Sequence, residues 1–171
     1  MEPTALRKGW RLLEVTGDFL PGDRYGHGAV SLENGQILLI GGKTRYKDRL
    51  EVYIFDVDDQ TKGYPSISVV QKYLLPFEGR WGFAYAYDAK QRILFVHGGF
   101  SATHNYGQTI LFQINFISKV PVPVLVSNVQ GPTPRGYHSA ALNTEGERAV
   151  YVFGGQCCIG GPYEYFNDVH R

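Results

Sequence analysis

Cysteine is nearly absent from the 171 residues: two occur, side by side, as Cys157 and Cys158. Neighbouring cysteines do not readily form an unstrained bridge, so a disulfide scaffold is excluded. Methionine occurs once. Neither sign of charge dominates, since 17 Lys and Arg face 16 Asp and Glu for a net charge of +1. That balance gives no reason to expect nucleic acid or an acidic surface as partner. No long apolar run opens the chain or crosses it, so neither a secretory leader nor a membrane span is expected. Asn-x-Ser/Thr acceptors are missing. So are Gly-x-Ser-x-Gly, a phosphate-binding loop and a dinucleotide fingerprint. These absences predict a protein of a reducing compartment, cytoplasm or nucleus, with no catalytic residue, no cofactor, and neither nucleic acid nor membrane as partner.

What is abundant points to strands. The chain holds 21 Gly, 12 Tyr and 10 Phe, which suits short strands and tight turns better than helices. One pattern recurs three times: an Arg after a turn, a small-residue strand, then an apolar run closed by two glycines. The copies run 24–42, 80–99 and 135–155. Arg80 follows Arg24 by 56 residues and Arg135 follows Arg80 by 55. A long fixed period is the mark of a repeat architecture. Recurring Arg24, Arg80, Arg135, His27 and His138 read as scaffold rather than as a ring of ligands, because every repeat needs the same packing and turn contacts.

The chain resembles the kelch-repeat family. The first unit carries Arg24, Tyr25, Gly26, His27 and Gly41-Gly42. The third carries Arg135, Gly136, Tyr137, His138 and Gly154-Gly155. The second keeps Arg80 and Gly98-Gly99 but has Phe83 in place of the histidine. The resemblance covers nearly the whole chain and implies an all-β fold in which each repeat is one four-stranded antiparallel blade of a β-propeller. It is far less specific for activity, since one fold hosts many functions.

The expected organisation is a single repeat region over 1–171. Residues 9–15 form an orphan outer strand belonging to a blade whose other strands lie elsewhere. Residues 24–75 form blade 1, residues 80–129 blade 2, and residues 135–171 an incomplete blade 3. In blade 1 the strands fall at 28–32, 37–40, 50–54 and 67–74, with Asn34-Gly35 in a hairpin turn. The apolar run 37–40 reads as a strand buried on both faces. Blade 2 repeats the scheme at 82–87, 93–96, 110–116 and 122–129, and prolines 121 and 123 mark its last strand as an edge. Blade 3 offers 138–142, 149–153 and the start of a third strand at 167–170. Closed propellers have roughly four to eight blades. Three blades therefore predict a partial or open propeller, as in a piece of a longer kelch protein, with self-association through the open edge as a liability.

Function is expected where the repeats differ. The loops after the glycine pairs offer Arg45, Tyr46, Lys47 and Arg49; then Phe100, His104, Asn105 and Tyr106; then Tyr163, Glu164, Tyr165 and Phe166. Tyr and Arg are the residue types that anchor interfaces. The resemblance implies that these loops and the turns before each Arg share one face, so a protein-interaction module or scaffold with protein partners is the leading expectation. An alternative is a metal-dependent propeller enzyme of the plant specifier type, using Glu164, Asp168 and His170. The first two match that motif's spacing but the histidine comes too early. A truncated product without autonomous function is the third reading. His97, where the other units have Ile40 and Phe153, is expected to be a core histidine with a satisfied ring. Cys157-Cys158, without a second pair, gives little support for zinc.

Overall fold

The computed structural model describes residues 12–45, 49–58, 66–158 and 160–171. Their regular structure is all strand, with no helix among the described residues and none long and apolar enough to cross a membrane. The first sheet has the order β1-β5-β4-β3-β2, from Val15–Thr16, Gly28–Ser31, Ile37–Ile40, Arg49–Asp58 and Ser66–Glu78 numbered in chain order. The second is an antiparallel meander of β6 (Ala84–Asp88), β7 (Ile93–His97), β8 (Gln108–Ile117) and β9 (Val120–Gln130). The third joins β10 (Ser139–Asn143), β11 (Ala149–Phe153) and β14 (Val169–His170), with a small hairpin of β12 (Gln156–Cys157) and β13 (Glu164–Tyr165) inserted. Inner strands β2, β6 and β10 lie next to one another, so the sheets stack as the blades of a partial propeller.

Local chemistry explains the hairpins. Gly35 adopts φ 82° and its N–H donates to the Leu32 carbonyl at 3.1 Å, closing the β2–β3 turn. In the next blade Asp88 does the work with its side chain, accepting from the N–H groups of Lys90 and Gln91 at 2.9 and 3.0 Å. Strand β9 is the free edge of its sheet, where Pro121 and Pro123 cost little.

Only the end of the outer strand expected at 9–15 falls on described residues. Residues 9–11 lie outside the described residues, and 12–14 are irregular. Val15–Thr16 run parallel to β5 at Ile67 and Ser68, adding a fifth strand to the first sheet. Val15 there packs beside Ile67 against Tyr53, Phe55 and Val69, an apolar patch that this short strand covers.

The principal core lies between the first two blades. Leu38, Ile40, Leu50, Val52 and Ile54 meet Phe83, Leu94, Val96, Ile110, Phe112 and Ile114. Each such side chain contributes about 1.5–3 kcal/mol on burial. The run 37–40 does serve two faces: Leu38 and Ile40 enter this core, while half-buried Ile37 and Leu39 join the cluster around Tyr53. Charged clamps span neighbouring blades at the hairpin end. Glu33 accepts from the Tyr87 hydroxyl at 2.7 Å and from Arg92 Nε at 3.0 Å. Asp88 accepts from Arg148 Nε at 2.6 Å. Between the second and third blades, Ala86, Ile93, Phe95, Leu111, Leu142 and Val150 line a groove of about 310 Å³.

Candidate interaction face

The site is built on the Arg-to-Gly-Gly scaffold. All six doublet glycines are left-handed, with φ of 64°, 67° and 69° at Gly41, Gly98 and Gly154, and 89°, 92° and 93° at Gly42, Gly99 and Gly155. A side chain there would also collide: a Cβ on Gly98 would lie 2.4 Å from the Arg135 carbonyl oxygen. Each first glycine donates its N–H to the next strand, to Glu51, Gln108 and Asp168 carbonyls at 2.8, 3.0 and 3.2 Å. Those three residues are therefore equivalent, and their side chains face the repeated arginines.

Arg24 donates to the Gly41 carbonyl at 2.9 Å and to Glu51 Oε2 at 3.3 Å, with its guanidinium 4.9 Å from the Tyr53 ring centre. Arg135, fully buried, donates to the Gly154 carbonyl at 3.0 Å and to both oxygens of Asp168, and stacks 4.2 Å over Phe166. Arg135 first, then His170 at 2.8 Å, hold the Asp168 carboxyl well below the usual carboxylate range. In the middle blade the acid is replaced by Gln108. Among the described residues Arg80, also buried, reaches only Gln108 Oε1 at 3.3 Å and the Tyr106 ring at 4.0 Å. Its Nε and Nη1 have no hydrogen-bond partner among the described residues, and burial lowers its pKa.

Just past the doublets, one bridge recurs three times. Tyr25 pairs with Lys43, Trp81 with Phe100, and Gly136 with Gln156. Each ties a post-glycine loop to the residue following its own blade's Arg. The loops are thereby fastened at one end of every blade, and Lys43 Nζ reaches 4.4 Å over the Trp81 ring of the next.

The sequence-predicted contact residues divide between scaffold and surface. Arg45 is exposed. Tyr46 and Lys47 lie outside the described residues, and Arg49 opens β4. Phe100 is buried under Tyr137, with ring centres 5.4 Å apart. His104 is exposed and lies 3.7 Å from Glu78, whereas Asn105 is half-buried and pairs with Phe100. Tyr106 carries Arg80 on its ring and donates its hydroxyl to Glu78; burial first, then Glu78, raises its pKa. Tyr163 and Tyr165 are 57% and 75% exposed, and Glu164 beside them is exposed as well.

Glu164, Asp168 and His170 do not converge. Asp168 and His170 pair with each other and Arg135, while Glu164 sits on β13 in a separate hairpin, 3.7 Å from the Cys157 sulfur. Contrary to the expectation for neighbouring cysteines, Cys157 and Cys158 are joined, with S–S 2.08 Å. Their bridge closes no chain loop, so it is no scaffold. Together with Glu164 they form the only three-residue group of metal-ligand types among the described residues. A disulfide has no thiolate to offer a metal.

His97 is fully buried, as expected, but only half satisfied: Nδ1 lies 3.1 Å from Thr109 Oγ1 and Nε2 has no partner among the described residues. Its ring meets that of His138 at 5.1 Å, nearly perpendicular. Burial first, then Arg135 and other cations, pushes His97 down to about 4; burial, His97 and Arg135 push His138 to about 3. The two histidines are a packed neutral pair at the blade 2–blade 3 junction.

Neither the protein-family models nor the curated proteins include a match to this chain.

Proposed function

We propose that the chain is a non-catalytic protein-interaction module of the kelch-propeller type, in which a repeated scaffold holds unequal loops toward a protein partner in the cytoplasm or nucleus. The observation that carries this reading is the thrice-repeated bridge just past the glycine pairs, which sets three loops of different length and composition at one end of the blades. Exposed Arg45, His104, Tyr163 and Tyr165 on those loops are of types that suit recognition, and among the described residues no scaffold contact consumes the two tyrosine rings. Asp168, held by Arg135, belongs to the scaffold, which favours binding over a metal-centred reaction.

Affinity purification with quantitative mass spectrometry, run on the natural chain and on a variant with Arg45, His104, Tyr163 and Tyr165 changed to Ala, tests the reading. Partners retained by the natural chain should be lost from the variant while its thermal transition is unchanged. Identical partner sets from two equally folded proteins would refute it.

A further inference from the structure

The third post-glycine loop holds both cysteines of the chain. Cys157 and Glu164 sit directly opposite each other on the β12–β13 hairpin, and Gln156 faces Tyr165 one step away. Cys158 follows where the chain leaves β12, with φ 77°. The ligand atoms of Cys157, Cys158 and Glu164 lie within 4.8 Å of one another.

The hairpin that gathers them is tied to the blade on both arms. Gln156 exchanges two hydrogen bonds with Gly136, each at 2.9 Å. Phe166 N–H donates to the Gly155 carbonyl at 2.9 Å, and the Phe166 ring lies 4.2 Å from the Arg135 guanidinium. Past the cysteines, Gly161 N–H donates to the Cys158 carbonyl at 3.1 Å. The cluster is thus anchored on one side and open on the other: Cys157 is 6% exposed, Cys158 is half-buried and Glu164 is exposed.

Glu164 Oε2 lies 3.7 Å from Cys157 Sγ. A bridged sulfur carries no proton, so this approach is a contact and not a hydrogen bond. Asp168, the other acid of this stretch, is gripped by Arg135 and His170, whereas Glu164 projects beside the sulfurs from an exposed position.

We propose that reduction turns this cluster into a site for a thiophilic divalent cation, zinc, with Cys157 Sγ, Cys158 Sγ and a Glu164 oxygen as ligands. A cellular thiol supplies the two electrons: the protein's sulfur–sulfur bond breaks, two RSH become RSSR, and the protein gains two S–H groups. Zn²⁺ then displaces both thiol protons to solvent and binds two thiolates and the carboxylate. Soft thiolates select zinc over calcium or magnesium. With Zn–S of about 2.3 Å and Zn–O of about 2.0–2.2 Å, the ligand atoms of a tetrahedral site stand roughly 3.5–3.8 Å apart. A set already gathered within 4.8 Å reaches that spacing by side-chain rotation, without rearrangement of the strands. Three protein ligands leave the fourth position to water.

Exchange with a disulfide of the same thiol pool reverses the step. RSSR becomes two RSH with uptake of two protons, the bridge re-forms, and the ion leaves because no thiolate remains to hold it. In a reducing compartment bridges form transiently, as sensors, so the pair is a redox gate on metal binding. This inference goes beyond the loop-face proposal and holds whether or not a protein partner binds there.

Competitive titration of the full chain with Zn²⁺ against a chromophoric chelator, on the phosphine-reduced and the oxidised forms, provides the test. The reduced chain should take up one equivalent that the oxidised chain does not. Co²⁺ in place of zinc should show the visible and sulfur charge-transfer bands of a tetrahedral thiolate site. Changing Cys157→Ser and Cys158→Ser together should abolish uptake, and Glu164→Gln should weaken it by at least about tenfold. Near-ultraviolet circular dichroism of each variant establishes that it is folded. No uptake by the reduced chain, equal uptake by the two redox forms, cobalt bands without sulfur character, or folded variants that bind as well as the natural chain would each overturn the inference. Should a variant fail to fold, the two redox forms of the natural chain and their cobalt spectra decide alone.

Discussion

Arg135 grips Asp168 with both branches of its guanidinium, Nη1 to Oδ1 and Nη2 to Oδ2, the second at 2.9 Å. The arginine is fully buried and the carboxylate partly exposed. The same position is Glu51 in the first blade, beneath Arg24, and Gln108 in the second, beneath Arg80. The variation among these three partners sets up the first two predictions.

Asp168→Asn should destabilise the protein by about 1–3 kcal/mol at neutral pH, since a charge-assisted bond to a buried cation is lost. The sign with pH is fixed by the lowered carboxyl pKa. Its contribution is fully present above the unfolded value of about 3.9 and fades as pH falls below it. Urea unfolding of both proteins from pH 7 to pH 2 should show the gap between them closing below about pH 4. A gap that stays constant would contradict the ion pair.

Gln108→Glu should do the reverse and stabilise the middle blade. Arg80 is a buried cation with two nitrogens unpartnered among the described residues, and a carboxylate at 108 would give it the partner its counterparts have. The gain should be about 1–3 kcal/mol, read as a higher thermal midpoint at pH 7. A neutral or destabilising result would mean that burying the added charge outweighs the pairing.

The His97–His138 pair should make the fold acid-sensitive. Both rings are neutral when folded, with pKa values down at about 4 and about 3, but take up protons near 6.5 when unfolded. The unfolded state then binds more protons between those values, so stability is complete above about pH 6.5 and declines as pH falls through that window. His138→Phe, which installs the residue already present as Phe83, should flatten the slope of stability between pH 4.5 and pH 6.5, conditions chosen from about those values. An unchanged slope would place the sensitivity elsewhere.

Two glycines that both have positive φ should differ in their tolerance of alanine. Gly35 has φ 82° with open space around it, whereas Gly98 has φ 67° with the Arg135 carbonyl 2.4 Å from a Cβ. Gly35→Ala should cost about 1–2 kcal/mol for the left-handed backbone alone. Gly98→Ala should cost at least about 3 kcal/mol, because the blade junction must shift as well. Chemical denaturation of the two variants side by side gives the comparison.

The repeated stretch itself was legible because its signals are local: an Arg, a turn, a small-residue strand, two glycines. The Asn34-Gly35 hairpin and the edge prolines follow from single-residue chemistry in the same way. The arginine partners were not legible. Glu51, Gln108 and Asp168 each meet an Arg more than 25 residues upstream, and their types differ. A spacing clue does exist, since Glu51 and Gln108 both stand ten residues past a first glycine, but the longer third loop breaks it. Glu164 and Asp168 looked like a ligand pair because sequence distance hides strand identity: the inserted β12–β13 hairpin takes one away from the other. Tyr106 and Phe166 resembled surface aromatics, yet each lies two residues before an arginine partner and becomes the floor beneath the guanidinium.

The thread of peptide groups from Gly26 through Gly82 to Tyr137 has a consequence for how such a chain grows. Gly82 N–H donates to the Gly26 carbonyl at 2.9 Å and Tyr137 N–H to the Gly82 carbonyl at 2.6 Å, so each step offers its successor the same acceptor that it takes from its predecessor. Genetic duplication or loss of one whole repeat therefore leaves every surviving junction chemically unaltered.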